Sequence, residues 1–144
     1  MTDSYFKGLP HCVPAGHAIS THIGGQISNV FGYRPDVTIF DKKSGKIDLI
    51  LECEDNSSRK THLGDILKAF CYFAENHTSG TLIIVVKNLG SLPKHLRNYC
   101  KWLRKITNVK FPAVMIISDR DYLITIQRAY EIASKPFRAM STAL

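Results

Sequence analysis

Acidic residues are missing from Asn76 to Ser118, where the chain has no Asp or Glu at all. The same window holds Lys87, Lys94, Arg97, Lys101, Arg104, Lys105 and Lys110. The remaining 12 lysines and arginines equal the 12 acids, so this window carries the entire formal charge of +7. A localised basic surface attracts a polyanion through steering and counterion release. A solvated basic face is the plainer reading of the same residues. Long apolar runs are also missing. The longest run of Ile, Leu and Val, Leu82 to Val86, is far too short to cross a bilayer, and no basic region followed by an apolar run opens the chain. A cytoplasmic location without a membrane partner is expected, and the sequons at Asn56 and Asn76 are expected to be unused. Cysteine is sparse. Cys12, Cys53, Cys71 and Cys100 form no CxxC pair and read as reduced residues, most of them in apolar patterns. His11, Cys12, His17 and His22 offer neither a CxxC nor an i,i+4 histidine pair, so zinc is not expected.

Repeats, low-complexity blocks and interdomain linkers are absent, and 144 residues with 44% hydrophobic content suffice for one core. One domain over 1–144 is expected, with a core of about 16–134 and a loose tail over 135–144. Ile19, Ile23, Ile27, Val30 and Phe31 predict a helix over 16–31. Ser57 or Ser58 to Glu75 predicts a second, with Leu63, Ile66, Leu67, Phe70, Phe73 and Ala74 facing inward. Thr81 to Lys87 reads as a strand covered on both faces. Ser91-Leu92-Pro93 opens a third helix. Leu96, Tyr99, Cys100, Leu103 and Ile106 are expected to face inward from it, and Arg97, Lys101, Arg104 and Lys105 outward. Ala113 to Ser118 is another strand, and Tyr122 to Ser134 a final helix. The order predicts an α/β domain of three layers, α/β/α, around a mixed sheet.

The most informative segments are Arg34-Pro35-Asp36-Val37-Thr38-Ile39-Phe40 and Ile47-Asp48-Leu49-Ile50-Leu51-Glu52-Cys53-Glu54. Both alternate as strands, and Asp41-Lys42-Lys43-Ser44-Gly45 is a turn-like link, so an antiparallel hairpin is expected. Asp36 then lies beside Glu52 and Glu54. Acids crowded at an apolar strand end repel one another and lose hydration unless a cation joins them. Magnesium is the economical explanation, with a sheet end of solvated carboxylates as the structural alternative.

The pattern Pro35-Asp36 followed by Glu52-Cys53-Glu54 resembles the PD-(D/E)xK nuclease superfamily, over roughly residues 16 to 118. The resemblance implies a restriction-endonuclease-like core. It also implies a divalent metal, Mg2+ with Mn2+ substituting, held by Asp36, Glu52 and the backbone carbonyl of Cys53. The chain departs from the motif at its third place, where the usual Lys is Glu54. The family's first strand, expected just before Pro-Asp, is not obvious in the sequence. Many relatives add an acid from the first helix; here His22, Gln26 or Asn29 would have to stand in.

The resulting expectation is a metal-dependent endonuclease cutting double-stranded or branched DNA, with Asp36, Glu52 and Glu54 catalytic. Glu54 would hold a second metal or activate water, with Lys68 a candidate for the missing Lys. Arg34, Arg59, Lys60, Arg97, Lys101, Arg104 and Lys105 would contact nucleic acid. Cutting two strands with so small a domain calls for a homodimer, associated with the nucleoid when on DNA. The alternatives are a catalytically inactive nucleic-acid-binding module and an interaction subunit of a larger DNA-processing complex.

Overall fold

The chain is described from a computed structural model covering residues 1–21, 32–55, 58–107 and 110–144. A short helix α1, Asp3–Lys7, is followed by strand β1, His17–Ser20, and by the expected hairpin, β2, Val37–Asp41, and β3, Ile47–Glu54. Helix α2, Arg59–Glu75, leads to β4, Thr81–Val86; helix α3, Leu92–Ile106, leads to β5, Ala113–Ser118. Helices α4, Asp119–Gln127, and α5, Lys135–Met140, precede a two-residue strand β6, Thr142–Ala143.

The six strands lie in chain order in one mixed sheet. β1, β2 and β3 pair antiparallel, β3, β4 and β5 run parallel, and β6 returns antiparallel along the far edge. The parallel strands cannot be joined by tight turns, so α2 and α3 serve as crossovers. Strand alternation divides the core. Ile50, Leu82, Ile84, Val86, Val114 and Ile116 face α2 and α3. Val37, Ile39, Leu49, Leu51, Ile83, Val85 and Ile117 face Phe6, Tyr122 and Phe137 from α1, α4 and α5. The expected three-layer α/β domain with a mixed sheet is the architecture found.

Four local expectations are corrected. Residues 17–20, read as the start of a helix, form edge strand β1: Ile19 pairs with Ile39, and the ladder to β2 outweighs a weak helical spacing. Residues 22–31 of that expected helix, with His22, Gln26 and Asn29, lie outside the described residues. The final helix starts earlier, at Asp119, because the Ser118 hydroxyl caps it by accepting from the Asp121 amide at 3.1 Å. It ends at Gln127, and Ala129 takes a positive φ of 54°. The expected loose tail folds: Phe137 and Leu144 are buried, and the Leu144 amide donates to the Val114 carbonyl. An apolar residue every few positions was enough to anchor it.

The fourth correction concerns α2, whose buried face is His62, Asp65, Ile66, Ala69, Tyr72 and Phe73. Leu63 and Phe70 are only half-buried and Leu67 is exposed. The helix is turned by about one residue from the expected stripe. That rotation carries Asp65 inward, toward the acids of β3.

Candidate metal centre

With Val37 opposite Leu51, Asp36 falls opposite Glu52. Two hydrogen bonds fix the pair: the Asp36 amide donates to Glu52 Oε2 at 3.1 Å, and the Cys53 amide donates to Asp36 Oδ2 at 2.9 Å. Both carboxyls are buried. They sit where β3 and its parallel neighbours end, at Glu54, Val86 and Ser118. In open α/β sheets the crevice beyond the carboxyl ends of the strands is the usual ligand position.

Glu52 and Glu54 share one face of β3, and Asp65 of α2 comes down on it. Glu54 and Asp65 lie within hydrogen-bonding reach of each other. Two carboxylates offer only acceptors, so a proton or a cation must sit between them. Buried Asp65 Oδ2 has no donor among the described residues. Its other oxygen is 3.3 Å from Lys68 Nζ, and Lys68 also lies over the Tyr33 ring, 5.4 Å from its centroid. Asp36 Oδ1 in turn is 3.3 Å from Lys7 Nζ of α1.

Burial raises every acid of the group, and repulsion from a neighbouring acid of the group adds to it in Glu52, Glu54 and Asp65. Desolvation, followed by the Asp65 charge, lifts Glu52 to about 8 and Glu54 to about 7. Desolvation raises Asp65 as well, against the opposing effect of Lys68, and also raises Asp36. Because Glu54 and Asp65 titrate together, the shared proton belongs to the pair. Tyr33, fully buried beside the acids, is raised mainly by desolvation and then by Glu52, so it stays a neutral phenol. Burial likewise pushes the Cys53 thiol to about 12. The Cys53 thiol is therefore no thiolate ligand; the group the resemblance assigns to the metal is its backbone carbonyl, while its amide N–H donates to Asp36.

These shifts predict an unusual stability profile. A carboxyl raised in the folded chain binds its proton more tightly there than when unfolded. Its stabilising contribution is complete below the unfolded value, 4.5 for Glu52, and is lost as pH climbs through the folded value. Without metal, stability should fall between about pH 5 and 8 by on the order of a few kcal/mol. Thermal melts in EDTA across that window check it; a rising or flat profile would contradict the shared burial of these acids.

The oxygen-only donor set suits a hard divalent ion, and buried Asp65 Oδ2, without a donor among the described residues, suits it further. Asp36, Glu52, Glu54 and Asp65 are the residues that could hold it. Among the described residues, however, no three Asp, Glu, His or Cys side chains already converge as a complete ligand set. Water would have to fill the remaining positions, as magnesium tolerates.

Sequence reasoning brought Asp36, Glu52 and Glu54 to one strand end and missed three partners. Asp65 lies outside the expected stripe because the inward face of α2 opens with two polar residues, His62 and Asp65, which carry no hydrophobic signal. Lys7 and Tyr33 come from segments with no sequence signal pointing to the acids. Arg34, Arg59 and Lys60 are all exposed, Arg34 two residues from Asp36 and the other two opening α2. Of the α3 bases, Arg97 and Arg104 donate to the carbonyls of Ala143 and Leu144 at 3.3 and 2.6 Å. They pin β6 as well as carrying charge. Of the histidines considered for zinc, His22 lies outside the described residues and the other two are separately engaged: His11 on Tyr122 and the Phe6 carbonyl, His17 on Asp48 and the Ala15 carbonyl. All four cysteines are free thiols, and no described helix is long and apolar enough to cross a membrane. No family model, curated protein or solved structure matches the chain.

Proposed function

We propose that this chain is a divalent-metal-dependent endonuclease that hydrolyses DNA phosphodiester bonds, acting as a homodimer on double-stranded or branched DNA. The observation that carries the reading is the pair of half-buried Glu54 and buried Asp65, within hydrogen-bonding reach of each other beside buried Glu52 and Asp36, with no donor on Asp65 Oδ2 among the described residues. Four acids held so close at an apolar sheet end are costly unless a cation unites them. The resemblance to the PD-(D/E)xK superfamily supports it, and strand β1, which precedes Pro35-Asp36 in the chain and pairs with β2, is compatible with the first strand that resemblance expects.

When bound, magnesium or manganese would polarise the scissile phosphate and lower the pKa of a coordinated water. Asp36, Glu52 and Asp65 would hold it, with Glu54 either completing the set or left free beside it. Without metal Glu54 is raised to about 7; in the loaded site it would either hold an ion or, left unligated, take the proton of the attacking water as general base. Lys68 places an ammonium on Asp65, on the helix that follows the motif, and so stands in for the motif Lys that Glu54 displaces. Exposed Arg34, Arg59 and Lys60 surround the same sheet end and suit flanking phosphates.

One observation favours a second reading. Lys7 and Lys68 already sit on Asp36 and Asp65, as they would in a nucleic-acid-binding module or an interaction subunit that needs no metal. Incubation with plasmid, branched DNA and single strands, each with magnesium, manganese or EDTA, separates the two. Cleavage that appears with metal and vanishes in EDTA is expected. Binding without cleavage under every condition would leave the second reading standing.

A further inference from the structure

Helix α3 packs on the sheet through Leu92, Leu96 and Cys100, with Leu103 half-buried. Tyr99 and Ile106, expected to face inward, do not reach the core: they are 46% and 70% exposed. The apolar stripe is wider than the surface that covers it. Trp102, the chain's single tryptophan, is 63% exposed and lies on the same flank. At 100° per residue, Tyr99, Trp102 and Ile106 fall within about 60° of one another. Lys94, Lys101 and Lys105 form the adjoining outermost stripe. Arg97 and Arg104 occupy the opposite flank, tied to the carbonyls of Ala143 and Leu144. Lys105 Nζ is 5.0 Å from the Trp102 ring centroid, so cation and aromatic face already form one surface.

We infer that this flank of α3 binds an unpaired nucleic-acid strand, its bases stacking on Trp102 and Tyr99 and its phosphates lying along Lys94, Lys101 and Lys105. Aromatic faces beside a row of cations are what single strands require, since every base has a face to stack and every linkage a negative charge. Duplex DNA keeps its bases stacked inside and could use only the lysines. A second copy of the chain fits this face poorly. A two-fold interface would set Lys101 and Lys105 against their own copies, with no acid anywhere from 76 to 118 to neutralise them. The inference is independent of cleavage, because none of these residues belongs to the acid cluster.

The test uses the full chain in EDTA, so that binding is read without cutting. Oligothymidylate, the matching oligouridylate and a duplex of equal length are titrated while the emission of Trp102 is followed. Quenching by both single strands, and much less by the duplex, is expected. Read by the anisotropy of a labelled oligothymidylate, since these variants have no tryptophan, Trp102→Ala should weaken single-strand binding by about 10-fold or more while Trp102→Phe retains most of it. Lys101→Ala with Lys105→Ala should lower the salt slope by about 1.4, at roughly 0.7 per phosphate contact. Trp102 is exposed, so circular dichroism should show these variants folded. Unchanged emission with all three ligands, or equal affinity of Trp102→Ala, overturns the inference. So does a dimer, seen by sedimentation, that Trp102→Ala dissociates, because the face would then be a self-association surface.

Discussion

Asp36→Asn and Glu52→Gln are each expected to remove metal-dependent cleavage, by at least about 10²–10³-fold, the usual cost of deleting one electrostatic group from an active site. Neither should unfold the protein. An asparagine carbonyl can still accept from the Cys53 amide that now donates to Asp36 Oδ2, and only the Lys7 contact is weakened. For Glu52 the effect on stability should reverse. Its carboxyl is pushed to about 8 by burial and by Asp65, so metal-free protein above that pH must hold a buried charge. Glutamine removes that charge and keeps the shape, so Glu52→Gln should melt higher than the parent at alkaline pH. DNA binding should persist or tighten in both variants, because each loses a group that can repel phosphates. Rates are read on whichever substrate the parent cuts, and melting temperatures by circular dichroism. Parental cleavage by Asp36→Asn would sink the assignment of these acids.

Glu54→Gln is expected to slow cleavage by about two to four orders of magnitude, the range for losing a general base. The same change relieves the repulsion with Asp65, so the metal-free fold should gain stability near neutral pH. Glu54→Lys separates the two effects more sharply. A lysine there would pair with Asp65, in a site that otherwise gathers acids, and would restore the commoner superfamily motif. We expect it to be stable and inactive or badly impaired. If Glu54→Gln cuts at the parental rate, Glu54 is dispensable, and Lys68→Ala becomes the informative variant because Lys68 already touches Asp65.

The parts of the fold set by strong local signals were legible. The Asp41–Gly45 turn between two alternating runs gave the β2–β3 hairpin, and with it the register that puts Asp36 opposite Glu52. Continuous aliphatic runs flanked by Gly80 and Pro112 gave β4 and β5. Weak signals that depend on tertiary partners were not legible. His17 to Ser20 carries no strand pattern of its own and is recruited by the open edge of β2. On α2, aromatic and aliphatic residues surround most of the helix, so hydrophobicity alone could not say which side meets the sheet. A one-residue error in that rotation concealed Asp65. Lys7 reaches Asp36 across a sequence gap that only the packing of α1 closes. On α3 the periodic stripe was real but wider than the sheet could cover, which left Tyr99 and Ile106 outside.

The claim that matters most is that these carboxyls exchange their protons for a divalent ion. Manganese binding by calorimetry, at about pH 7 in buffers of different protonation heat, reads both halves of that exchange at once. One ion should bind with release of roughly one or more protons, and Asp36→Asn and Glu52→Gln should weaken both signals. Absence of binding, with DNA absent or present, or binding without proton release that both variants retain, would contradict a metal centre at Asp36, Glu52, Glu54 and Asp65.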